Sequence, residues 1–113
     1  MDALIRKVRE FRRQRGWDRF HSPKNLAMAL TVEAAELAEN FQWMSQEQSR
    51  RLGGEKHAAV AREIGDVLIY LVNLADKLGI DPLGAAHAKL AENHAKYPAD
   101  KVFGKALKYS EYT

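Results

Sequence analysis

Residues 29–37, ALTVEAAEL, and 59–70, AVAREIGDVLIY, decide the fold of this chain. Both read as apolar helix, and both carry a pair of acids three residues apart: Glu33 with Glu36, and Glu63 with Asp66. That spacing puts the two members of each pair on one helix face. The face is also the apolar one. Glu33 has Ala29, Leu30 and Leu37 one turn away, and Glu63 has Ala59, Val60 and Val67, which is how a core-facing stripe reads. The helices supply little compensation, since only Asp66 has a base one turn back, Arg62. Two such helices packed face to face would bring four carboxylates together. Burying charge without a partner is costly, and a hard cation with a preference for oxygen ligands relieves it. Acids at the edge of a stripe that pair across helices are the alternative. Two pairs in matching settings favour the cation, and a caged Mg²⁺ suggests phosphate chemistry.

Outward from these helices, the 113 residues fit one domain, residues 1–113, with a tail from about residue 99. No stretch is strongly strand-like, so an all-α, four-helix-bundle-like fold is expected. Helix one is expected over about Asp2–Arg15, with Leu4, Ile5, Val8 and Phe11 inward and Gly16 ending it. Ser22 and Pro23 are an N-cap and a first helical residue, opening a helix expected to reach about Trp43. Ser45 to Gln48 resembles a capping box. A third long helix is expected over about Glu55–Leu78 with Gly79 as its C′ residue, and a fourth from Pro82 to about Tyr97. The connection between the two acidic helices is long enough for antiparallel packing. The apolar faces exceed what one small bundle covers, so at least a homodimer is expected.

Composition excludes several classes. With no cysteine there is no disulfide scaffold or thiolate metal site, and the cytoplasm is the compartment expected. The N-terminal stretch MDALIRKVREFRRQ lacks a signal-peptide apolar region, and VLIYLVNLA is too short to span a bilayer. The net charge is +3, from 18 basic and 15 acidic residues, and Arg6, Lys7, Arg9, Arg12, Arg13 and Arg15 crowd the first helix. A solvated helix face is the reading they carry. A non-catalytic module binding nucleic acid or a partner through them is the competing class, without an RNA-binding signature to support it.

The wider text around the acids carries a resemblance. WDRFHSPKNL (residues 17–26), EAAELAENFQW (33–43), EIGDVLIYLV (63–72), KLAENHAKYP (89–98) and KYSE (108–111) together resemble the MazG-like all-α nucleoside triphosphate pyrophosphohydrolases, and within them the dCTP pyrophosphatases. The resemblance implies hydrolysis of a deoxynucleoside triphosphate between the α and β phosphates, on dCTP or a modified dCTP, with dUTP or a damaged purine nucleotide as the alternative. It implies Mg²⁺, with Mn²⁺ able to substitute, held by Glu33, Glu36, Glu63 and Asp66. Glu36 or Glu33 is expected to activate the water. It implies nucleotide contacts from Trp17, Asp18, Phe20, His21, Asn25, Trp43 and Tyr70, and from Lys89 and Asn93 on the last long helix. Lys105 and Lys108 in the tail are candidates for closing over the triphosphate, against an ordinary surface role. Family members imply a homodimer or homotetramer. The chain departs from the dCTP pyrophosphatases at Val8, Asp18, Ser22 and Lys24, positions that bear on base preference more than on reaction type.

Overall fold

The computed structural model describes residues 1–106 and Ser110. Among these residues six α-helices follow one another: α1 (Asp2–Gln14), α2 (Pro23–Glu39), α3 (Gln46–Ser49), α4 (Gly54–Lys77), α5 (Pro82–Lys96) and α6 (Ala99–Val102), with a 3₁₀ turn at Asp18–Phe20. Among the described residues there is no strand, as the all-α reading requires. Nor is any helix among them long and apolar enough to cross a membrane. Lys108, Tyr109 and Glu111 of the last motif lie outside the described residues. The chain falls into two units, Met1–Ile80 and Asp81–Thr113. The second contains α5, whose N-cap Asp81 accepts a hydrogen bond from the Leu83 amide at 3.2 Å, followed by α6.

Local chemistry sets the ends of the helices in the first unit. Gly16, at φ 65°, and Gly79, at φ 67°, follow α1 and α4 in the left-handed conformation that glycine adopts without a side-chain clash. Ser22 Oγ accepts from the Asn25 amide at 3.2 Å, and Pro23 opens α2. Ser45 and Gln48 form the reciprocal capping box, with bonds of 3.0 and 3.1 Å. The expected extent of α2 is corrected: it stops at Glu39, and Phe41, Gln42 and Trp43 lie in turns. Asn40 is the reason. Its side-chain amide donates to the carbonyls of Glu36 and Leu37 at 3.2 and 3.4 Å, satisfying groups that the helix end would leave open.

Helix α4 packs along α2 and against α1. His21, just before α2, meets Asn73 late in α4, while Glu33 and Glu36 meet Glu63 early in it, so α2 and α4 run antiparallel. Among the described residues Val8, Leu26, Val60, Val72 and Ala75 form the apolar core, with Leu26 and Val72 its most completely buried members. More than a third of each of Met28, Val32, Ile64, Leu68 and Leu71 stays exposed.

Part of the holding energy is polar. Arg12 is buried, not on a solvated face as its basic neighbours suggested. Its guanidinium donates to Asp18 at 2.7 Å, to Asn73 at 2.5 Å and to Asp76 at 2.7 Å. Arg9 adds two bonds to Asp76, and Lys77 pairs with Asp18 at 2.9 Å. The network ties α1, the 3₁₀ turn and the end of α4 into one body. A buried guanidinium is tolerated because each edge meets an acceptor.

The hydrogen bond from Arg9, with Arg12 adding to it, holds the Asp76 carboxyl down from 3.8 to about 2. A depressed carboxyl contributes stability that is complete above its unfolded value and lost as pH falls through the folded one. Asp76→Asn should therefore lower the unfolding free energy at pH 7 by about 2 kcal/mol. Urea titrations at several pH values should show the gap between the two proteins closing between about pH 4 and pH 2. A gap that stays constant over that window would rule out this ionisation as its source.

Candidate active site

The antiparallel seam of α2 and α4 gathers the acids. Glu33 and Glu36, one turn apart on α2, and Glu63 on α4 each offer a carboxylate oxygen, all within 4.8 Å of one another. Glu33 and Glu63 are half-buried, and Glu36 is exposed. Glu33 Oε2 and Glu63 Oε2 are shut off from water and have no hydrogen-bond partner among the described residues. Burial pushes the Glu33 carboxyl up, and the charges of Glu36, Asp66 and Glu63 push it further. Burial likewise raises Glu63, followed by Glu36 and Asp66, with Arg62 opposing. Orphaned, mutually repelling oxygens and an all-oxygen donor set fit a hard divalent cation, which would satisfy the lone pairs and cancel the repulsion.

Asp66 lies outside that trio. It is exposed and lines a neighbouring cleft of about 390 Å³, together with Tyr70 one turn on, Asn73, His21, Trp17 and Phe11. Its charge acts on both Glu33 and Glu63, so it stands between the acid cluster and the cleft. Trp17 meets Phe11 edge-on at 5.7 Å between centroids and lies 5.9 Å from the His21 ring. A tryptophan face and a tyrosine at a polar-ended cleft suit a planar base.

Trp17, His21 and Tyr70 are thus brought together, whereas the other expected nucleotide contacts do not line this cleft. Asp18 accepts from Arg12 and Lys77, whose hydrogen bonds lower its pKa. Phe20 stacks under the Arg19 guanidinium at 4.9 Å. Asn25 donates its side-chain amide to the Phe20 carbonyl at 3.1 Å, fastening the turn to α2. Trp43 is 90% exposed in the turn after α2. In the second unit, Lys89 pairs with Glu92 at 3.0 Å, and Asn93 lies one turn on, half-buried.

The sequence reading missed Arg12 and Asn73. Both had a signal. Asn73 interrupts an apolar run seven residues after Asp66 and three after Tyr70, on their face of the helix. Arg12 falls four residues after Val8, in the apolar stripe of α1. The basic cluster is also not a free cationic stripe. Arg9 and Arg12 are committed to Asp76, Arg13 to Glu10, and Arg15 lies over the Phe11 ring at 3.6 Å.

Comparison with known proteins follows the same lines. A family model described as the MazG-like family matches residues 28–112. The chain is similar to dCTP pyrophosphatase 1 of Bos taurus, 39% identical over 113 residues, covering 98% of this chain and 67% of that protein. The Homo sapiens dCTP pyrophosphatase 1 is 40% identical over 113 residues, covering 98% and 66%. The chain thus spans about two thirds of the length of these curated relatives. A pyrophosphatase from Archaeoglobus fulgidus of solved structure matches with a TM-score of 0.82 and 43% identity, over 87% of this chain and 92% of that one.

The raised carboxyls have a thermodynamic consequence. A carboxyl whose folded pKa lies above its ordinary 4.5 destabilises the fold as pH rises through that value, and the penalty is absent below it. In EDTA at pH 7.5, about three units above an ordinary glutamate, Glu63→Gln should raise the melting temperature. Mg²⁺ or Mn²⁺ should stabilise the unaltered protein by mass action, about 2.7 kcal/mol at a hundred times Kd. The variant should lose most of that gain. Scanning fluorimetry with and without the cations reads both effects, and no cation response in the unaltered protein would remove the metal centre.

Proposed function

We propose that this chain, which belongs to the MazG-like family and is a nucleoside triphosphate pyrophosphohydrolase, acts on dCTP or a modified dCTP with Mg²⁺ as cofactor. One observation carries the reading: the three-glutamate cluster with two orphaned buried oxygens, next to a cleft lined by Trp17, His21 and Tyr70. The choice of base is supported by the name shared by the bovine and human relatives.

Hydrolysis adds a water oxygen to the α-phosphorus and breaks its bond to the oxygen bridging to the β-phosphate. Pyrophosphate leaves with that bridging oxygen, and the water loses a proton. Glu33, Glu36, Glu63 and Asp66 would hold Mg²⁺, which when bound neutralises charge on the phosphates. Glu36 is exposed, whereas Glu33 and Glu63 each sink an oxygen into the seam. Within the three-glutamate cluster Glu36 is therefore the carboxylate that reaches solvent, and it is the one proposed to orient the water and accept its proton. Trp17 offers a face to the base. Tyr70, one turn from Asp66, positions the nucleotide against the acids. Lys89, Asn93 and the exposed Trp43 are further proposed contacts to phosphate, sugar and base. The uncovered apolar side chains on α2 and α4 support a homodimer or homotetramer, and the absence of cysteine is compatible with the proposed cytoplasmic location.

The experiment is product analysis by ion-exchange chromatography for each common dNTP and NTP, with Mg²⁺ or EDTA. Monophosphate and pyrophosphate should form only with the cation, and fastest from a deoxycytidine nucleotide. Glu36→Gln should lower kcat by about 10²-fold or more with the fold retained. Diphosphate and orthophosphate as products would overturn the reaction, and a faster purine or uracil substrate would overturn the base.

A further inference from the structure

Asn73 lies late in α4 with only 4% of its surface exposed, and its side-chain amide has two neighbours. Arg12 Nη1 is 2.5 Å from one amide atom, and His21 Nδ1 is 2.9 Å from the other. A guanidinium only donates, so the atom facing Arg12 is the amide oxygen. The atom facing His21 is then the NH₂ nitrogen, which also only donates. His21 Nδ1 must receive it with a lone pair, which leaves the ring proton on Nε2. No amide flip escapes this logic, because the reverse orientation sets two donors against each other at Arg12. Among the described residues His21 Nε2 makes no hydrogen bond, and His21 lines the cleft beside Trp17 and Tyr70.

We infer that Arg12 and Asn73 are positioning residues that hold His21 as the neutral, Nε2-protonated tautomer, making it a fixed hydrogen-bond donor to an acceptor atom of the bound nucleobase. The nucleobase rests on the function proposed above, whereas the tautomer follows from the contacts alone. The surrounding charge agrees. Burial lowers the His21 pKa, Lys77 and Arg12 lower it further, and Asp18 opposes them. Lys7 of α1 and Asp66 of α4 line the same cleft. Protonating Nδ1 would also set its N–H against the Asn73 NH₂. The opposite tautomer would present a lone pair to the cleft and favour a base that donates there. The Arg12–Asn73 pair therefore acts on base selection through His21.

Asn73→Asp reverses the device. A carboxylate only accepts, so it draws the ring proton to Nδ1 and raises the His21 pKa, while Arg12 keeps an anionic partner that supports the fold. In the unaltered protein, two-bond ¹H–¹⁵N NMR of labelled histidine should show His21 protonated at Nε2, titrating below 6.5. A His21→Gln protein identifies the signal. Asn73→Asp should move the proton to Nδ1. It should also raise KM for the preferred nucleotide about tenfold above the new pKa, one hydrogen bond's worth. Below that pKa both nitrogens carry protons, the donor returns and KM recovers. A purely structural role for Asn73 would not give that recovery. An Nδ1-protonated His21 in the unaltered protein, or a tautomer unmoved by Asn73→Asp, would overturn the inference. If no nucleotide is hydrolysed at all, the proposed function fails while the NMR still decides the tautomer.

Discussion

Glu33 and Glu63 each keep one oxygen away from water and from any donor among the described residues, in the seam where α2 and α4 pack. Glu36 and Asp66 add negative charge at their side. Left to itself this arrangement opposes folding, since burial and like charge both disfavour ionised carboxylates. The cation proposed for the seam would relieve both. The seam stays assembled because the stabilising contacts lie elsewhere on the same helix.

Those contacts are at the other end of α4. Leu26 and Val72 are buried there, and Arg12 is enclosed by Asp18, Asn73 and Asp76. Helix α4 thus carries unmatched acids in its first half and a fully matched polar network in its second. The Arg12 network fastens α1 to α4 and so forms two walls of the cleft that Asp66 borders. Asn73 belongs to both the network and the cleft wall. Packing and site chemistry meet in one side chain, and a change there reaches His21 without altering any carboxylate.

The proposed cation ligands and the proposed base-facing residues are placed separately, the former on the α2–α4 seam and the latter on the cleft. In that proposal the acids set the reaction through their spacing on two helices. The cleft would select what enters it, through Trp17, Tyr70 and the proposed tautomer of His21. Specificity built on a buried hydrogen bond is steep, because a mismatched base leaves a polar group without a partner. The two features can therefore vary independently in sequence.

Much of this was legible from the chain. Glycine and capping residues marked the helix ends, and the three-residue spacing put the acids of each pair on one face, since helical periodicity is a local property. The end of α2 was misjudged because Asn40 bonds back to its own carbonyls, a local preference outweighed in the reading by the helical run around it. Spacing marked Arg12 and Asn73 as out of place on their apolar faces, but it could not name their partners or that of Asp18. Arg12 looked like one of six solvated bases, and Asp18 like a group waiting for substrate. Their partners are up to 64 residues away in sequence and under 3 Å away in space. A hydrogen bond forms only at contact distance and in the right direction. The sequence alone determined which residues share a helix face; only the packing of α1 and α2 on α4 decided which polar groups were already satisfied and which were left for a ligand.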